Sequence, residues 1–249
     1  MTKHAMLVSC LCLAASVASA DNDKKYTMTD LKALVDQKSF QEALMHLGDI
    51  APSARNAEWQ DVAVRAALGM VDSGEDAVTK LTYMIAIEKQ YPVLIKNAKY
   101  AAMRTDLGPK GFDACFQGGD TQTCLDYALK FIDADPGNGK LALAIAKVGR
   151  RGMNSYSAVP LFKRAVASNK AAVCKDDDLS ITIVAALGLP ADYTNQVDAR
   201  SIASTACWAE LRKPIVDELA KGETGYFHDN ACALLKDKHD RDAARLCTK

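Results

Sequence analysis

The chain has 249 residues, long enough for one sizeable core or a modest array of repeats. Its 31 basic and 31 acidic residues cancel, which excludes the one-sided positive field that gathers nucleic acid. Hydrophobic residues reach 49% with aromatics at only 6%, and such an alanine-rich, aromatic-poor interior suits closely packed helices.

Residues 1–20 read as a signal peptide. Lys3 and His4 give a positive start, residues 5–17 are apolar, and Ala18-Ser19-Ala20 supplies a small-x-small cleavage pattern. Cleavage is expected after Ala20. Leu7-Val8-Ser9-Cys10 offers the other outcome, a lipid-anchored Cys10, although few apolar residues precede that cysteine. No later apolar run approaches the roughly 20 residues that a membrane span needs. The mature chain therefore reads as exported, to the periplasm or beyond, without a membrane span. Residues 21–27 follow as a polar leader.

Helical hairpins are expected from residue 28. Thr29-Asp30 reads as the cap of a helix with Leu31, Leu34 and Val35 on its apolar face. A second helix carries Phe40, Ala43, Leu44 and Leu47 and ends at Pro52, whose ring bars continuation. Residues 59–71, a break at Gly74, and then Ala77, Leu81, Met84 and Ile85 repeat the arrangement up to Pro92. Residues 124–169 read as helix, Pro-Gly turn, helix, short loop, helix. Ala43 and Ala77 stand 34 residues apart, and so do Cys124 and Ala158. A small residue where paired helices touch, with large residues a turn away, is a packing pattern that a repeat preserves.

Segments 93–123 and 170–223 do not fit this period and read as irregular hairpins or a small helical cap. Residues 181–184 form the only β-branched run, and their apolar surroundings read equally well as helix. Asp176-Asp177-Asp178 reads as a helix cap favoured by the helix dipole, with a calcium loop as the less well-spaced alternative. Residues 197–219 read as one helix kinked at Pro214, with Cys207-Trp208 in its middle.

Six cysteines follow the signal segment: Cys115, Cys124, Cys174, Cys207, Cys232 and Cys247. An even set in an exported chain implies disulfides. There is no C-x-x-C pair and no histidine spacing for zinc, so no metal is assigned. The simplest pairing is sequential, Cys115 with Cys124, Cys174 with Cys207 and Cys232 with Cys247, though spacing leaves other pairings open, including one pair kept reduced.

Chemistry-bearing motifs are few. Residues 135–140 are superficially like a phosphate loop, but the first glycine is missing and Leu141 replaces the hydroxyl residue, so they read as a turn. There is no G-x-S-x-G and no S-x-x-K beyond the signal segment. His46, His228 and His239 stand singly, and no carboxylate pair is singled out by spacing. No catalytic residue and no cofactor is therefore assigned. Lys140, Lys147, Arg150 and Arg151 concentrate positive charge along one helix, where they would hold a partner's carboxylates. The same residues equally suit a solvated helix C-terminus. Trp59 reads either as a groove anchor or, more simply, as a core tryptophan.

Several of these motifs resemble the tetratricopeptide and Sel1-like repeat families. Cys124-x-x-x-Ala128-x-x-Phe131 before Asp135-Pro136, and Ala158-x-x-x-Phe162-x-x-Ala165, follow the second-helix pattern. Ile145-Ala146 supplies the large-then-small pair of a first helix, although Ala142 and Gly149 replace its tryptophan and tyrosine. The segments 115–124 and 230–247 are similar to the cysteine-bridged Sel1-like variant of secreted bacterial proteins, which places a disulfide across a helix pair. The resemblance covers residues 28–169 and 224–249. It implies an all-α, right-handed α-solenoid of helical hairpins stapled by disulfides, with repeats over 28–169 and a C-terminal helical segment over 170–249 that ends in a Sel1-like hairpin. It further implies a non-enzymatic scaffold in the bacterial envelope, binding a protein or peptide on a concave face near which three of the four basic residues would fall. The alternatives are a secreted Sel1-like hydrolase acting on cell wall or β-lactams, and a structural envelope protein without a specific ligand.

Overall fold

Capping chemistry decides where the helices begin. Thr27, rather than Thr29, caps α1 (Met28–Asp36): its hydroxyl accepts from the Asp30 N–H while the Asp30 carboxylate takes the Thr27 N–H at 2.8 Å. A carboxylate three residues into the helix satisfies a second orphan donor, so the frame with Asp30 inside the helix wins. Asn56, Asp76, Asn97, Asp120 and Asn138 cap α3 (Ala57–Asp72), α4 (Ala77–Gln90), α5 (Ala98–Gln117), α6 (Thr121–Asp133) and α7 (Gly139–Gly152). Each side-chain oxygen accepts from a backbone N–H in the first turn. The short α2 (Phe40–His46) passes into a 3₁₀ turn over Leu47–Asp49, so the regular helix stops before Pro52 is reached.

The computed structural model describes residues 25–222 and 224–248. The expected signal peptide, Cys10 and most of the polar leader lie outside them. The end of the leader is tied down: the Tyr26 hydroxyl donates to Glu42 at 2.9 Å, and its ring stacks on His46 at 3.9 Å.

Among the described residues there are thirteen α-helices and no strand. The remaining six are α8 (Val159–Val173), α9 (Asp177–Leu187), α10 (Thr194–Ser201), α11 (Trp208–Leu219), α12 (Tyr226–Asp237) and α13 (Ala243–Leu246). The pairs α1/α2, α3/α4, α5/α6 and α7/α8 pack as hairpins. Helices α1, α3, α5, α7 and α9 also touch in succession, as do α6, α8 and α10. One apolar core runs through all of them, from Leu31 to Leu235.

Segment 93–123 is mostly the 20-residue α5, the first helix of the hairpin completed by α6. Its length breaks the period. Close approach explains its glycines: a Cβ on Gly111 would lie 2.5 Å from Leu81 Cβ and 2.9 Å from the Ala77 carbonyl oxygen. The 34-residue offsets also pair unlike places. Ala43 and Cys124 lie inside α2 and α6, whereas Ala77 opens α4 and Ala158 immediately precedes α8.

The β-branched run lies in α9, which buries Leu179, Thr182, Ile183, Ala186 and Leu187 at helical spacing. Residues 197–219 are not one helix. A π-turn over Ile202–Ala206 and the non-helical Cys207 (φ −122°, ψ 27°) separate α10 from α11, so the break falls at Cys207 and not at Pro214. Cys207 is held there by its bond to Cys174. All three sequential disulfides form, with Cα separations of 5.9, 5.1 and 5.6 Å, inside the range such bridges require.

Candidate functional site

The basic helix is α7. Asn138 caps it, its Oδ1 accepting from the Leu141 N–H at 3.1 Å, and residues 135–138 form the turn before it. Leu141, Ile145 and Val148 face the core, which leaves the cations outward. Lys147 Nζ donates to Asp176 at 2.9 Å and lies 3.6 Å from Asp178. Arg150 Nε pairs with Asp178 from off the hydrogen-bond line. Both carboxylates stand at the start of α9, where Asp176 is the N-cap and Asp178 lies in the first turn. The cations therefore complete a chain of favourable charge from α7 through two carboxylates into the α9 dipole. The Asp176 hydrogen bond holds the Lys147 ammonium above its ordinary pKa, with burial working the other way.

The structure thus brings Lys147 and Arg150 together on internal partners. Arg151 is half-exposed with Asp113 at 3.7 Å. Lys140 is exposed and has no ion pair among the described residues. A cavity of about 330 Å³ lies between the start of α6 and the loop after α7, lined by residues that include Thr121, Gln122, Leu125, Gly152, Met153 and Asn154.

Sequence reasoning missed a buried charge. The Arg104 side chain is 0% exposed. Its Nε donates to Glu88 at 2.9 Å, its Nη2 donates to the Phe131 carbonyl, and its guanidinium lies 3.8 Å over the Phe131 ring. Nη1 has no hydrogen bond, with Asp135 at 3.7 Å. The Tyr100 hydroxyl joins the group, 3.4 Å from Glu88. Burial pushes the Glu88 carboxyl up against the opposing pull of Arg104, and burial also pushes the Tyr100 phenol up. The cluster joins α4, α5 and α6. It is closed to solvent and serves packing.

A second unforeseen feature is apolar and exposed. Ile181, Tyr193, Val197 and Tyr226 are 47%, 55%, 52% and 58% exposed. They belong to α9, to the start and middle of α10, and to the start of α12. Helices α10, α11 and α12 all pack on α9. Asn230 Nδ2 donates to the Leu187 and Leu189 carbonyls at 2.9 Å each, which brings the start of α12 to the end of α9. The available signal was Tyr193 and Val197 inside an otherwise polar segment.

Other candidates resolve as structure. Trp59 is buried, donates from Nε1 to the Leu47 carbonyl at 3.1 Å and meets Tyr91 edge-on. His46 bonds Asp49 at 3.0 Å, and His239 sits at a positive φ after α12. Among the described residues no group of three or more His, Cys, Asp or Glu side chains is placed to hold a metal ion. No family model, curated protein or solved structure matches the chain.

Proposed function

We propose that the chain is an exported scaffold of tetratricopeptide/Sel1-like helical hairpins that binds a protein or peptide partner in the bacterial envelope. The observation that carries this reading is the exposed set Ile181, Tyr193, Val197 and Tyr226 on helices gathered around α9. Tyrosine offers a large, stiff apolar body with a polar tip, which is why it anchors interfaces. Packing of each hairpin on its neighbours, with alternate helices in contact, agrees with a right-handed α-solenoid. Three disulfides suit an oxidising compartment. Lys140 and Arg151 are the basic residues left to meet acidic groups of a partner, while Lys147 and Arg150 serve the α7–α9 junction.

Site-specific photo-crosslinking in the native envelope tests the proposal. A photoreactive residue at position 193 or 226 should yield the same discrete adduct, and one at exposed Met45 on α2 should not. No adduct at either position, or identical adducts at all three, would overturn it. Lys140→Glu with Arg151→Glu should weaken the adduct if the partner is acidic.

A further inference from the structure

The Cys232–Cys247 bridge has surroundings that the other two lack. Cys115, Cys124, Cys174, Cys207 and Cys232 are 9%, 2%, 4%, 0% and 4% exposed, whereas Cys247 is only partly buried. Cys247 follows the four-residue α13. On the inner side of the bridge, Cys232 Sγ lies 3.8 Å from His228 Nε2, one turn earlier on α12. The same Nε2 stands 3.3 Å from the Leu246 carbonyl oxygen. A sulfur and a carbonyl oxygen are both acceptors, so Nε2 carries a hydrogen. Nδ1 lies 3.4 Å from the Asp229 carboxylate. By contrast, Cys174 Sγ lies 3.7 Å from the Ala206 carbonyl oxygen.

We propose that Cys232–Cys247 is a thiol–disulfide exchange site that takes an external dithiol at Cys247. One thiolate of the dithiol attacks Sγ of Cys247, the less buried cysteine of the pair. A bond forms between the two sulfurs, the Cys232–Cys247 bond breaks, and Cys232 Sγ departs with the electron pair. The His228 Nε2–H, 3.8 Å from Cys232 Sγ, meets that charge as a hydrogen-bond donor. The second thiol of the dithiol then attacks its own sulfur in the mixed disulfide and expels Cys247 as a thiol. The dithiol is oxidised by two electrons and the bridge reduced by two. A stabilised leaving thiolate speeds such exchange. Opening is local, because Arg212 still holds Asp240 at 2.6 and 2.9 Å and Asp242 at 2.6 Å. Only the chain from Ala243 onward is released, and it uncovers a cysteine–histidine pair on α12.

The oxidised full chain is exposed to limiting dithiothreitol without denaturant, quenched by alkylation and mapped. Cys232 and Cys247 should become alkylated about tenfold faster than the other four cysteines. Glutathione alone should leave its adduct on Cys247. His228→Gln should slow opening of this bridge about fivefold and leave the other two rates unchanged, with helical circular dichroism intact. Earlier opening of another bridge, glutathione on Cys232, or an unchanged rate in folded His228→Gln would each overturn the proposal. If His228→Gln does not fold, the order of opening and the position of the glutathione adduct in the parent protein decide it.

Discussion

Replacing Arg104 by methionine should destabilise the fold by about 3–5 kcal/mol, because it strands the Glu88 carboxylate in the core. Methionine keeps much of the side-chain volume, so the loss is mainly electrostatic. A unit pair at about 4 Å and an effective dielectric near 20 is worth ~4 kcal/mol, the right size for a contact of 2.9 Å between side chains 0% and 7% exposed. The double variant Arg104→Met with Glu88→Met removes both charges and should recover most of that loss. A remainder of ~1 kcal/mol is expected for the Phe131 carbonyl left without its donor. Urea unfolding with the disulfides intact gives the four stabilities, and the cycle gives the coupling. A coupling below ~1 kcal/mol would refute the reasoning. The pH dependence is a second check. Burial raises the folded Glu88 pKa above the ordinary 4.5. Its contribution is therefore present below that ordinary value and lost as pH rises through the folded one. With Arg104 gone the raised value climbs further, so the Arg104→Met deficit should shrink as pH falls toward 4.5.

Three more outcomes follow from particular contacts. Gly111→Val drives a branched side chain into Leu81 and the Ala77 carbonyl, and should cost about 1–3 kcal/mol or more in urea. Arg212 and Arg245 hold the Asp240 and Asp242 carboxyls below their ordinary 3.8. Their stabilisation is thus present above pH 3.8 and lost as pH falls through the depressed folded values, so Arg212→Met should narrow the fall in Tm between neutral pH and pH 3. Lys147→Gln with Arg150→Gln should lower stability by only ~0.5–1 kcal/mol, since Lys147 is 39% exposed and screened. Loss of the partner crosslink at Tyr193 with Tm unchanged would instead return those two residues to partner contact.

Local chemistry was legible in the residues and tertiary pairing was not. The apolar faces of the first hairpins, the helix–turn–helix–loop–helix reading of residues 124–169 and the sequential disulfides all rest on features within a few residues or on cysteine parity. The start of α1 slipped because Thr27 and Thr29 are alike locally, and only the reach of Asp30 decides between them. Helix α5 stayed hidden for a physical reason. Gly108-Pro109-Lys110-Gly111 holds three residues that disfavour a helix interior, and Arg104 interrupts the apolar stripe. Both features belong to the interior. A Cβ on Gly108 would meet the Phe131 ring at 2.9 Å, and Arg104 is neutralised by Glu88 from another helix. Residues that look like breakers are here the conditions for close packing.

The same distinction reshapes the candidate site. Local rules read Asp176-Asp177-Asp178 as a helix cap or, less well spaced, a calcium loop, and Lys147 and Arg150 as either a ligand-facing charge or a solvated helix C-terminus. Folding places these two groups in contact across 29 residues. Paired charges at a helix N-terminus hold α9 against α7 and leave little net field for an acidic ligand. Exposure then separates the candidates. Polar groups at a surface lose little by staying in water, but apolar area of the kind offered by Tyr193, Val197 and Tyr226 costs about 25 cal/mol for each Å² left wet. A covering partner of the kind proposed would relieve that cost, so under that proposal the stronger force for association would lie on the C-terminal helices, with Lys140 and Arg151 adding orientation and rate more than affinity.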